Sequence, residues 1–265
     1  GERVMFSQVQ RPDIQESVND YFLTNSKGDL ADPTCLKSAG DSLYIMTAQG
    51  IERVTGISRE YFTKETVSTE IGGCRSDAWA EAYGTLIGFA ARRASRSYLG
   101  EPDRLVADDV AVISGTEVKL IGRRIKPALQ LLRANSAGTE RAVFWREKDT
   151  VLLMPKVKFH NFPDASVSPG LDIYPYNIRA AAFWKWTVHE YVAITAMTLA
   201  PLRIPAASST PAIDGEVVVL GFRRDHYGPK AKLLGYFDEQ NPRDNLIPME
   251  SYWESCWMDR GKDRL

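Results

Sequence analysis

Trp79, Tyr83, Leu86, Ala90 and Ala94 recur at three- and four-residue steps, the spacing that lines up one apolar stripe on an α-helix. Ser76 or Asp77 can accept the free amide protons of a first turn, and Gly100 suits the left-handed residue that ends one. The pattern therefore predicts a central helix of about six turns. Gly84 and Gly88 fall one turn apart on it, where a second backbone can approach closely. A second long helix is expected over 176–199, dense in aromatic residues (Phe183, Trp184, Trp186, Tyr191) and stopped by Pro201. Shorter helices are expected over 14–22, after Thr47 as a cap (carrying Ile51, Val54 and Ile57), and over 121–135 with Ile125, Leu129 and Leu132 inward.

Runs rich in β-branched and aromatic residues predict strands elsewhere. These are 60–70, a hairpin of 110–113 with 118–121 around Ser114-Gly115, a pair within 142–159 around Glu147-Lys148-Asp149, and 216–222 paired with 232–237. Helices alternating with strand pairs indicate a mixed α+β fold, mainly antiparallel sheet with a long central helix and a second long aromatic helix. The expected organisation is an N-terminal arm over 1–40, a core over 41–237 and a tail over 238–265, with Trp253 and Trp257 on a short helix. Pro, Ala and Ser over 201–214 read as a linker or irregular loop, and no internal repeat is visible.

Composition narrows the function classes. With 265 residues, 44% of them apolar, the chain can build a large core. Its 33 basic and 34 acidic residues leave a net charge of -1, so any polyanion must be met by a local patch. Three cysteines (Cys35, Cys74, Cys256) without a CxxC pair fit a reducing compartment. The longest uncharged apolar run, 191–202, is too short to span a bilayer. These features predict a soluble protein, cytoplasmic or virus-encoded within a cell, with no membrane partner.

Cations interleaved with aromatic rings neutralise phosphates and stack bases. Arg223, Arg224, Tyr227, Lys230 and Lys232 provide this on an expected hairpin. Arg92, Arg93 and Arg96 at the end of the central helix, with Arg123, Arg124 and Lys126, extend the candidate surface. The run Thr69-Glu70-Ile71-Gly72-Gly73-Cys74-Arg75-Ser76-Asp77-Ala78-Trp79, followed by a helix ending in Ala90-Ala91-Arg92-Arg93-Ala94, resembles single-strand annealing recombination proteins. That resemblance covers about thirty residues. It implies a homo-oligomer that holds single-stranded nucleic acid in a basic groove and pairs strands without metal or nucleotide.

Two other chemistries are legible. Pro102-Asp103 followed by Glu117-Val118-Lys119 on a strand resembles the PD-(D/E)xK nucleases. Asp103 and Glu117 would then hold Mg²⁺, and Lys119, on the same strand face as Glu117, would steady the attacking water. Cys74 after two glycines at a helix start, with His160 and Asp172 downstream, follows the chain order of some thiol enzymes. The sequence thus favours a single-stranded DNA-binding or annealing protein without cofactor. Its rivals are a Mg²⁺-dependent nuclease and a structural or assembly protein, for example of a virus.

Overall fold

The computed structural model describes residues 3–5, 20–22, 33–47, 50–57, 61–73, 75–92, 106–126, 129, 140–155, 171–188, 192–204, 213–224, 232–236, 243–244, 247–248 and 251–252. Among them the chain forms antiparallel sheets joined by turns and 3-10 helices of three residues, with no helix of seven or more. It divides into two compact units, Gly1–Glu140 and Arg141–Leu265. The expected α+β fold with two long helices is therefore corrected to an all-β one.

In the first unit β1 (Arg3–Met5) pairs with β2 (Asp20–Phe22), where the sequence predicted the end of a helix. The strands β3 (Pro33–Ala39), β4 (Ser42–Thr47), β5 (Ile51–Thr55) and β6 (Thr63–Ser68) follow as a four-stranded meander. Cys35, Met46 and Ile51 lie abreast in register and are buried on one face, with Tyr44 beside them. Thr47 caps a turn rather than the expected helix: its Oγ1 accepts the Gly50 amide at 3.0 Å, and its own amide donates to the Gly50 carbonyl. The strand β6 is tied to β5 on both faces, by Arg53 to Glu65 (3.3 Å) and Lys64 to Glu52 (3.1 Å). Cross-strand pairs of this kind contribute about 0.2–1 kcal/mol each.

The second sheet of this unit contains β7 (Gly72–Gly73), β8 (Trp79–Ala82), β9 (Thr85–Arg92), β10 (Val106–Ser114) and β11 (Glu117–Leu120). Gly73 pairs with Ala90 and Trp79 with Gly88, so β7 and β8 are halves of one strand. Between those halves the described residues 75–78, with the 3-10 helix Ser76–Ala78, stand opposite Phe89 alone.

The expected central helix is this β8–β9 hairpin. Tyr83 (φ 52) and Gly84 (φ 77) take the two left-handed positions of a tight hairpin turn, with Ala82 opposite Thr85. Leu86, Ile87, Phe89, Ala90 and Ala91 are all buried, although they alternate between the two faces of β9. A strand covered on both faces carries no polar alternation, so a few of its apolar residues can mimic helical spacing.

Of the expected helix over 121–135 the described residues show the 3-10 helix Gly122–Arg124 and one helical bond, from the Leu129 amide to the Ile125 carbonyl (3.0 Å), while 127, 128 and 130–135 lie outside them. The inward placement of Ile125 and Leu129 holds, and Leu132 lies outside the described residues. The β10–β11 hairpin is as expected, Ser114 facing Glu117.

In the second unit β12 (Arg141–Trp145), β13 (Thr150–Met154), β14 (Leu171–Asn177), β15 (Ala182–Phe183) and β16 (Lys185–Val188) form another meander. Its last strand is split at Trp184, whose amide donates to the Pro175 carbonyl at 3.1 Å. A three-stranded sheet of β17 (Val192–Ile204), β18 (Ile213–Arg224) and β19 (Lys232–Tyr236) follows. The pair β20 (Arg243–Asp244) and β21 (Ile247–Pro248) comes next, and β22 (Ser251–Tyr252) adds to β16.

The expected aromatic helix over 176–199 is thus the end of β14, a turn, then β15, β16 and the start of β17, with 189–191, Tyr191 among them, outside the described residues. Pro201 sits inside β17 opposite Glu216, and of the expected linker over 201–214 residues 201–204 and 213–214 are strand, the rest lying outside the described residues. Proline is tolerated there because β17 is the outer strand of its sheet. Trp145, Leu152, Met154 and Ile173 from the meander pack with Met197 and Val218 from the three-stranded sheet, a sheet-on-sheet core. Both hairpins predicted here, around Glu147-Lys148-Asp149 and between 216–222 and 232–237, are present.

Candidate functional site

Four turns of the first unit collect at one end of its sheets. The chain reverses at Gly40-Asp41 between β3 and β4, and again over 56–62 between β5 and β6, which is the same end of a meander. A Cβ built at Gly40 would lie 3.9 Å from Gly84 Cα, which places the β8–β9 turn beside them. The Tyr44 hydroxyl donates to the Gly115 carbonyl at 3.0 Å, bringing in the β10–β11 turn. Leu43, Ile57, Tyr61, Phe62 and Tyr83 are exposed at this end, Ile57 to 89% and Tyr61 to 67%. Only Leu36 is a further large apolar side chain so exposed among the described residues.

The opposite end of the five-stranded sheet is basic. Asp109, 7% exposed, sits at a bulge in β10, and its Oδ1 accepts the amides of Val110 (2.8 Å) and Gly122 (2.9 Å). The Ile121 amide donates to the Val110 carbonyl (2.8 Å), so the segment after β11 is fastened to β10 at two points. Any Cβ on Gly122 would collide with Asp109 Oδ1 and the Val110 amide. Arg123 and Arg124 are exposed on this turn, while Ile125 and Leu129 are buried.

Register brings Arg92 to the same end. Asp109 pairs with Ala90, and Arg92 ends β9 two residues further, about 7 Å along the strand. The sequence-predicted cations Arg123 and Arg124 are adjacent on the turn, with the half-buried Lys126 following, and Arg92 ends β9 at the same end of the sheet, across β10 from them. Arg93 and Arg96 lie outside the described residues.

In the second unit Arg223 faces Lys232 across β18 and β19, and Arg224 ends β18. Tyr227 and Lys230 lie outside the described residues. Glu117 and Lys119 are exposed on one face of the edge strand β11, as period two requires, and Asp103 is outside the described residues. No group of three or more His, Cys, Asp or Glu side chains able to hold a metal ion occurs among the described residues.

Cys74, His160 and the side chain of Asp172 are likewise outside what is described. The described thiol is Cys35, buried on β3 and pushed up to about 11 by burial, with a hydrogen bond to Ser76 partly offsetting it. A thiol held protonated is a weak nucleophile. Arg75 and Asp77 pair with each other at 3.0 Å.

Sequence reasoning missed the apolar end, because it is assembled from four separate turns. It also missed Asp109, although the pair Asp108-Asp109 inside the otherwise apolar run 106–113 is a readable signal. The helix on which the likeness to annealing proteins rested is a hairpin. No protein-family model and no curated protein matches the chain. Among the described residues no helix is long and apolar enough to cross a membrane.

Proposed function

We propose that this protein is an assembly protein that associates with its own copies through the turn end of its first unit. The observation that carries this reading is the gathering of Leu43, Ile57, Tyr61, Phe62 and Tyr83, all exposed, at one end of two packed sheets. Contiguous exposed apolar patches mark interaction surfaces, and aromatic side chains dominate the energy of such contacts. A net charge of -1 leaves copies with little mutual repulsion. Successive antiparallel meanders also suit a scaffold, since they supply rigid sheets that present turns.

Sedimentation velocity over a concentration series tests the reading. The expected result is a reversible or stable oligomer that Ile57→Asp/Tyr61→Asp converts to monomer, with the circular dichroism unchanged. A wild-type chain that remains monomeric throughout the series defeats it.

A further inference from the structure

We infer that the Gly122–Arg124 turn, at the basic end of the five-stranded sheet, is a contact site for the phosphate backbone of nucleic acid. Adjacent exposed arginines are common on protein surfaces, and the cations alone would not make a site. Here they stand on a turn that is fixed from three directions. Asp109 Oδ1 grips the Gly122 amide, the Val110 carbonyl takes the Ile121 amide, and Ile125 is buried beneath the turn. The Ile125 amide closes the turn onto the Gly122 carbonyl at 3.0 Å.

Such fastening has a direct consequence for binding. A turn already held in one conformation loses little backbone freedom when it meets a ligand, so more of each contact's energy reaches the affinity. The position of Arg123 and Arg124 is further restricted by Gly122, where no side chain fits against Asp109 and Val110.

Arginine suits phosphate because its planar, permanently charged fork donates two parallel hydrogen bonds to an oxyanion. A run of phosphates is favoured over a single anion because the cations are spread over neighbouring backbone positions. The chain as a whole carries no basic excess that would attract polyanions indiscriminately. This inference stands independently of self-association.

Fluorescence anisotropy of labelled single- and double-stranded oligonucleotides, titrated at several salt concentrations, tests the site. The full chain is expected to bind at least one of them. Arg123→Ala/Arg124→Ala should weaken binding on the order of tenfold at low salt and make the log K against log salt slope shallower by about 1.4 for a single strand. Arg123→Lys/Arg124→Lys keeps the charges and should restore the slope. Arg146→Ala/Arg179→Ala removes the same charge from the second unit and should change neither quantity.

The inference is overturned if the wild-type chain binds no oligonucleotide or if the double alanine variant keeps the wild-type slope. It also fails if the control variant loses as much as the test variant. Binding to vesicles of anionic phospholipid with no oligonucleotide bound would reassign the turn to membrane headgroups and likewise overturn it.

Discussion

Trp79 lies directly opposite Gly88 across the β8–β9 ladder, and the indole fills the space that a side chain on Gly88 would need. A Cβ there would meet the Ala78 carbonyl oxygen and come within 2.7 Å of Trp79 Cα and Cδ2. Gly88→Ala is therefore expected to destabilise the first unit by about 2–3 kcal/mol, because backbone rather than a flexible side-chain tip must yield. Chemical denaturation decides it, and an unchanged midpoint would show that Trp79 is not held as described.

Asp109 is the second point of vulnerability. Asp109→Ala leaves the amides of Val110 and Gly122 buried without their acceptor, at about 1–3 kcal/mol for each unsatisfied group. A loss of about 2–4 kcal/mol is expected in urea unfolding, and faster amide exchange at Gly122 should accompany it. Full retention of stability would mean that water replaces the carboxylate.

Tyr44→Phe removes only the hydroxyl that donates to the Gly115 carbonyl. The ring stays buried, so the expected cost is about 1 kcal/mol. Thermal melts of the two proteins measure it, and coincident curves would show that the bond contributes nothing net.

Cys35 gives a pH dependence with a definite sign. Its pKa is raised from 9.0 to about 11 in the folded chain, chiefly by burial. The unfolded chain therefore releases this proton first. The contribution of Cys35 is fully present below pH 9 and is lost as pH rises towards 11, at up to about 1.4 kcal/mol per pH unit. Comparing unfolding free energies of the wild type and Cys35→Ala from pH 7.5 to 10.5 isolates the effect. The difference between them should shrink above pH 9, and a constant difference would argue that the thiol ionises normally.

What the sequence made legible follows the reach of each signal. Hairpins around Ser114-Gly115 and Glu147-Lys148-Asp149 are there because their turn chemistry is local and their flanking runs are β-branched. The two long helices failed for different physical reasons. Residues 86–91 are buried on both faces of their sheet, so polar alternation was absent, whereas the stretch 176–199 is broken by a turn over 178–181 that its aromatic density concealed. Tyr83-Gly84 was the overlooked turn, since a tyrosine in the left-handed region is unexpected.

Thr47 was correctly read as a capping side chain, but it caps a hairpin loop. Of the candidate site, the residue types were visible and their grouping was not. Nothing in the spacing of Arg92 and Arg123 reveals that Asp109 links their positions. The exposed turns could not be grouped until the meander fixed which ends of the strands coincide.

The strand order of the first unit bears on how the chain comes to be folded. From β3 to β6 every strand pairs with the one just made, across short connections. Local pairings of this kind close small loops and form early, before distant partners can compete. A chain emerging residue by residue from its synthesis site holds everything the four-stranded meander needs before Gly72 appears. The split strand of β7 and β8 then waits only for β9 to return along it. Assembly in this order leaves each apolar face open for no longer than the synthesis of the next hairpin takes.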